Sequence, residues 1–166
     1  RSTISYRCVL HHLPSIQREI DARLGKSCPA IRLDLRSMRI HLKETIHFLP
    51  GTASMRQGYE AICTQLCKVI STMQHTLQRH GHSPLHLRVE GHARKFKSRQ
   101  RCWEISLQRA NAMVCHIAAA GVSATLLHPL GLGSTVTEKC TWEDGRYVEV
   151  HLMAVPDQTN WGLVFN

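Results

Sequence analysis

Two short stretches decide the fold: RVEGHAR at residues 88–94 and ISLQRANAM at residues 105–113. In and just before the first stretch, apolar and basic residues alternate, which predicts a strand that runs into a loop. The second stretch lies in a run of apolar residues at helical spacing. A helix is therefore predicted from about Ile105 or Ser106 to Ala120, where a glycine follows as a stop signal.

The same two spacings predict the elements on either side of this segment. Helices are expected at 15–25 and 59–79, and strands at 31–36, 39–42 together with 45–48, 124–127 and 146–153. Ser15 is expected to cap the first helix after Pro14. The order β-α-β-α-β-β predicts an α+β two-layer sandwich, with two main helices on one face of a small mixed sheet. The first helix and strand form an extension.

Length and apolar content predict one domain with a core. The chain has 166 residues, of which 43% are hydrophobic, and a typical domain has roughly 150. We expect an N-terminal extension at 1–36, packed on a central domain at 37–155, and a C-terminal tail at 156–166. Because the first residue is Arg1 rather than Met, the chain is expected to be part of a larger protein. No apolar run reaches the roughly 18 residues of a transmembrane helix.

The charge balance favours anionic partners. Lys and Arg number 21 against 12 Asp and Glu, which gives a net charge of +9. Five basic residues fall in a predicted loop after residue 93: Arg94, Lys95, Lys97, Arg99 and Arg101. This basic loop is either a solvated surface or a contact for an acidic protein or nucleic acid. Nucleic acid has the weaker case, because aromatic residues are only 5% and no predicted helix has a basic face.

Cysteine usage predicts free thiols. There are seven cysteines, an odd number without short paired spacings, which favours a reducing compartment over a disulfide framework. Cys63 and Cys67 lie four residues apart on a predicted helix with three histidines downstream, so a zinc site is conceivable. Small buried hydrophobes are the favoured interpretation, and we predict no metal and no cofactor.

The sequence does not predict an enzyme. Ser106 has His92 and Glu90 nearby in sequence, but a serine at the expected start of a helix is explained by capping. His92 is expected to be a loop histidine that hydrogen-bonds to backbone. No glycine-rich phosphate loop, paired-carboxylate motif or metal-binding helix motif is present.

The segment from Leu85 to Leu152 resembles the OmpA-like C-terminal domain, a family that includes peptidoglycan-associated lipoprotein and the periplasmic part of flagellar stator proteins. The resemblance rests on both opening stretches and on three further features: IHFLPGTASM (46–55), the glycines 131 and 133, and RYVEV (146–150). It implies the fold given above and a non-catalytic role in holding the peptide stem of the bacterial cell wall. In the family, an aspartate and a helix arginine grip the diaminopimelate residue of that stem.

Residue by residue, the resemblance implies a degenerate ligand site at Gly91, His92, Arg94, Arg109 and Arg146. Arg109 matches the family arginine, and Arg146 matches the residue that the family has at this position of its last strand. Arg94 stands where the family has its aspartate. Two guanidinium groups at such a site would repel an ammonium group and attract a carboxylate or a phosphate.

These observations lead to a functional hypothesis with two alternatives. The chain is expected to be a non-catalytic OmpA-like binding or scaffold domain that does not bind peptidoglycan in the family manner and that binds an anionic or acidic partner. The first alternative is a peptidoglycan-binding anchor of the cell envelope, and the second is a basic module associated with nucleic acid. A reducing compartment, the eukaryotic cytoplasm or an organelle, is expected, with the bacterial periplasm or outer membrane as the alternative location.

Overall fold

A computed structural model describes residues 6–43, 46–93, 98–134 and 148–153, with side chains in the first helix from residue 12 onward. The helices and strands follow in chain order: α1 (Tyr6–Leu24), β1 (Ile31–Asp34), β2 (Arg39–Leu42), α2 (Glu60–Arg79), β3 (His86–Gly91), α3 (Arg99–Ala119), β4 (Leu127–Gly131) and β5 (Val148–Met153). From β2 to β5 the order is the predicted β-α-β-α-β-β. No helix in the described part of the chain is long and apolar enough to span a membrane.

The strands form one mixed sheet in the order β1-β2-β5-β3-β4. Strands β3 and β4 are parallel, and the other neighbours are antiparallel. Alternation along each strand decides which side chains enter the core: Leu87, Val89 and Val150 are buried with residues of both α2 and α3. This arrangement confirms the predicted α+β fold with a small mixed sheet.

Helix α2 follows the sequence pattern closely. Leu66, Ile70, Met73 and Leu77 recur at three- and four-residue steps and are all buried. Burial of each such side chain contributes about 1.5–3 kcal/mol, so this single stripe holds α2 on the sheet. Met73 is a core residue, as its spacing indicated.

Helix α1 starts earlier than expected. It spans Tyr6–Leu24, so Pro14 lies inside the helix and Ser15 is not its N-cap. Proline removes one helical hydrogen bond, but the helix continues because Ile16 and Ile20 on one face are completely buried in the core. Packing therefore outweighs the local signal of the proline.

Helix α3 also starts earlier, at Arg99 rather than near Ile105. Ser98 is the N-cap, and its hydroxyl accepts a hydrogen bond from the backbone N–H of Arg101 at 3.0 Å. Arg99 and Arg101 consequently belong to the first turn of a helix and not to a loop. The buried side chain of Cys102, one turn before Ile105, is the apolar contact that extends the helix.

Two short strand predictions are wrong in detail. The segment Ala124–Leu126 is a 3-10 turn, and the strand that follows it is β4. Strand β4 is an edge strand, where the missing N–H of Pro129 is tolerated. In the expected strand at 45–48, Phe48 makes only an isolated bridge with Met55.

Candidate functional site

The family-like site lies where the ends of β3 and β4 meet the N-terminal half of α3. Two glycines allow this close approach. A Cβ added at Gly91 would lie 1.8 Å from the carbonyl oxygen of Ser106, and one added at Gly131 would lie 2.7 Å from the backbone nitrogen of Leu107. The strands therefore rest directly on the helix backbone, and the residues that follow β3 are brought to Arg109.

Arg109 is fully buried at this junction, with no exposed side-chain surface. Its Nε donates to the carbonyl of Thr52 and its Nη1 to the carbonyl of His92, both at 3.0 Å. The guanidinium carbon also lies 5.5 Å from the centre of the Phe48 ring. Arg109 thus fixes the loop before α2 to the end of β3, and the structure brings two predicted site residues, His92 and Arg109, together.

Ser106 anchors the loop that follows β4. Its buried hydroxyl donates to the carbonyl of Trp103 at 2.7 Å and accepts from the backbone N–H of Gly133 at 2.9 Å. The carbonyl of Gly133 in turn accepts from the N–H of Ala93 at 3.0 Å. The expectation that Ser106 caps the helix is wrong because Ser98 occupies that position.

Four predicted site residues, Arg94, Lys95, Lys97 and Arg146, lie outside the described residues. The pairing of Arg94 with Arg109 therefore stays a prediction. Of the basic loop, Arg99 and Arg101 are described and exposed, and Arg101 lies 3.5 Å from Glu104 within the same helix.

A charged cluster on the outer face of the sheet, the face away from α3, was missed by the sequence reasoning. It consists of Arg88, Glu90, His92, Glu149 and His151. The Nε2 atom of His151 lies 3.1 Å from a carboxylate oxygen of Glu90 and 3.2 Å from one of Glu149. Apolar residues alternate with polar ones along both β3 and β5. Only the strand register shows that the polar side chains of the two strands lie side by side.

The cluster shifts the ionisation of its members. Hydrogen bonds to Glu149 and Glu90 raise the pKa of His151 to about 9. The hydrogen bond from His151 lowers the pKa of Glu149. Burial opposes ionisation of Glu90, but the hydrogen bond from His151 and the charges of His151 and Arg88 outweigh it and lower the pKa of Glu90. For His92, burial is the largest effect and lowers its pKa despite the two carboxylates.

Most of the described cysteines are buried in the core, as the sequence predicted. Cys28, Cys63 and Cys67 are buried thiols, whereas Cys115 is an exposed thiol. Burial raises the pKa of Cys63 to about 11, and its sulfur lies 3.5 Å from the sulfur of Met55. Within the described ranges, no set of three metal-ligating groups forms around Cys63 and Cys67.

Comparison with solved structures identifies the fold. An outer membrane protein from Borrelia burgdorferi superimposes with a TM-score of 0.58 at 20% identity, over 75% of this chain and 98% of that one. The peptidoglycan-associated lipoprotein of Burkholderia pseudomallei gives 0.51 at 14% identity, over 68% and 92%. The periplasmic domain of Helicobacter pylori MotB gives 0.51 at 15% identity, over 82% and 99%. No family model and no curated protein matches the sequence.

The fold is therefore that of the OmpA-like domains. Peptidoglycan-associated lipoprotein is one of the proteins that the sequence resemblance indicated, and the MotB structure is a periplasmic domain, as the resemblance also indicated. At these identities the similarity establishes the architecture alone, so the role of each side chain rests on the geometry described above.

Proposed function

We propose that this chain is a non-catalytic, peptidoglycan-binding OmpA-like domain of a bacterial cell envelope. The sequence alone favours a domain that has lost this activity, but the similar structures support the alternative. One is a peptidoglycan-associated lipoprotein, and the others are an outer membrane protein and a periplasmic domain. They give no support to a location in a eukaryotic cytoplasm or organelle.

The observation that carries the proposal is the placement of Arg109. It matches the arginine to which the resemblance assigns the diaminopimelate contact, and it lies at the junction of β3, β4 and α3. The carbonyls of Thr52 and His92 fix the guanidinium in one orientation. A charge held in place before the ligand arrives lowers the entropy cost of binding, and hydrogen bonds between a guanidinium and a carboxylate are strengthened by charge.

The absence of catalysis is part of the proposal. The Ser106 hydroxyl is engaged by a backbone carbonyl and a backbone N–H, and neither group can accept its proton as a general base in the way a histidine does. Ser106 therefore stabilises the loop after β4, and its position offers no activated nucleophile.

A second candidate function follows from two observations. Arg94 replaces the family aspartate, which inverts the charge offered to the ammonium end of the ligand. Arg109 is completely buried in the described part of the protein. Both observations favour a scaffold domain that has lost peptidoglycan binding and contacts an acidic protein or an anion.

Cosedimentation with insoluble peptidoglycan separates the two candidates. Peptidoglycan with diaminopimelate in its stem is compared with peptidoglycan that has lysine there. The proposal predicts that the unmodified chain sediments with the first material and that Arg109→Lys, which keeps the charge but loses the planar fork, sediments at least about tenfold less. Arg101→Lys, an exposed arginine of the same helix, is the matched control and should sediment like the parent.

The opposite pattern would support the second candidate. If the unmodified chain stays in solution and only Arg94→Asp sediments, peptidoglycan binding has been lost through charge inversion. Equal sedimentation with both materials would overturn the proposed recognition of diaminopimelate. Circular dichroism of each variant checks that the fold is intact.

A further inference from the structure

The charged cluster on the outer face of the sheet has an unusual arrangement of carboxylates. Glu90 of β3 and Glu149 of β5 are direct partners in the antiparallel register, so their side chains emerge next to each other on the same face. Like charges in this position are destabilising. Glu90 is only 7% exposed, so water screens this repulsion poorly. The pair therefore favours a cation, and in this structure the imidazole of His151 and the guanidinium of Arg88 lie against the two carboxylates.

One carboxylate oxygen of each glutamate in the pair lies close to the same nitrogen atom, Nε2 of His151. Arg88 lies 2.7 Å from Oε1 of Glu90 and so occupies that oxygen. The other oxygen, Oε2, faces the Nε2 atom of His151, which also lies 3.2 Å from Oε2 of Glu149. The Nε2 atom of His92 approaches the same Glu149 oxygen at 3.9 Å. Each of the two imidazole nitrogens thus lies near the Glu149 carboxylate, and that of His151 lies near Glu90 as well.

The spacing of these atoms suits a metal ion. One ligand atom each from Glu90, His92 and Glu149 lies within 4.8 Å of the other two. Zinc binds nitrogen and oxygen ligands at about 2.0–2.2 Å in a tetrahedron, whose ligand atoms are then roughly 3.3–3.6 Å apart. Side-chain movements on the order of 1 Å close the three groups on an ion, and rotation of glutamate and histidine side chains supplies such movements.

We propose that Glu90, His92 and Glu149 form a binding site for one divalent transition-metal ion. The donor set favours Zn²⁺, because imidazole nitrogen with carboxylate oxygen suits zinc, whereas Mg²⁺ and Ca²⁺ take oxygen ligands. Two carboxylates neutralise the charge of the ion. This proposal is independent of peptidoglycan binding and departs from the sequence analysis, which predicted no metal site.

The position of the site gives the metal a structural consequence. His92 carries one proposed ligand on its side chain, while its carbonyl accepts the hydrogen bond from Arg109. Glu149 lies on β5, the strand next to β3. A bound ion would therefore join the end of β3 to the start of β5 and stabilise the backbone that orients Arg109.

The test is calorimetric titration of chelator-treated full chain with Zn²⁺, together with thermal unfolding with and without the ion. We expect one tight site per chain and a rise in melting temperature with Zn²⁺. His92→Gln should weaken that site at least about tenfold, since a lost ligand costs at least as much as a lost supporting group. Glu149→Gln should have the same effect, and it serves as the second variant if His92→Gln does not fold.

Exposed histidines bind zinc weakly, so a matched control is needed. His128→Gln removes an exposed histidine that stacks on His86 with 5.0 Å between the ring centroids and that is not among the proposed ligands. It should leave the tight site unchanged. The proposal is overturned if the unmodified chain shows only weak binding, if His128→Gln loses as much affinity as His92→Gln, or if Mg²⁺ binds equally well.

Discussion

Replacement of Gly91 by alanine tests how the site is built. Gly91 has an extended strand conformation, so its need for glycine comes from space alone. An added Cβ would lie 1.8 Å from the carbonyl oxygen and 2.8 Å from the carbonyl carbon of Ser106, and 3.1 Å from the nitrogen of Ala110. All three are backbone atoms of α3, and none can rotate away.

The size of the effect follows from the separation that the new methyl group requires. Non-bonded heavy atoms are at their optimum near roughly 3.5 Å, so β3 and α3 must move apart by about 1.7 Å at this point. Such a shift disturbs the tight packing of the core, to which Val89 of β3 and both Ala110 and Met113 of α3 belong. We expect a loss of at least about 4 kcal/mol in the free energy of unfolding, beyond the usual range for overpacking.

Chemical denaturation followed by circular dichroism measures this loss, and thermal unfolding gives a second reading. A loss of about 4 kcal/mol corresponds to a fall of roughly 8–16 °C in melting temperature for a chain of this size. Gly121→Ala is the control: nothing lies within 4 Å of its Cβ, but its φ of +104° is unfavourable for alanine. Such backbone strain costs roughly 1–2 kcal/mol. If Gly91→Ala costs no more than this control, the described contact between β3 and α3 is wrong.

Two further predictions concern buried polar groups. Ser106→Ala leaves the N–H of Gly133 without its buried acceptor and should lower the free energy of unfolding by about 1–3 kcal/mol. Denaturant titration measures this loss. A loss smaller than the experimental error would mean that Ser106 does not anchor the loop. Cys63, with a pKa of about 11, has about one part in a thousand as thiolate at pH 8. Mass spectrometry of iodoacetamide-treated native protein should therefore find the exposed Cys115 modified well before Cys63, and equal rates would refute the described burial.

The fold could be predicted from the sequence where local spacing and tertiary packing agree. In α2, the apolar stripe, the acidic first turn and the glycine stop all indicate the same helix, and its bounds differ from the expectation by a single residue. The predicted start of α3 was misplaced because Ser98, its N-cap, lies among basic residues that were expected to form a loop. Pro14 similarly suggested a helix boundary, which the packing of α1 overrides.

The candidate site was predictable only in part. Resemblance pointed to His92 and Arg109, but the partner carbonyl of Thr52 lies 57 residues away from Arg109 and cannot be inferred from spacing. Glu90 and Glu149 are also distant in sequence. Their pairing depends on the register of β3 with β5, which no local pattern specifies.

Direct binding of a soluble peptidoglycan fragment tests most closely whether this domain recognises diaminopimelate. A stem peptide that contains diaminopimelate is titrated against isotopically labelled protein, and the backbone amide signals are followed by nuclear magnetic resonance. Recognition of diaminopimelate at this site predicts saturable shifts at Gly91, His92 and Arg109, and much weaker shifts with a stem peptide that has lysine instead. Absence of shifts at these residues at millimolar peptide, with the protein folded, would contradict it.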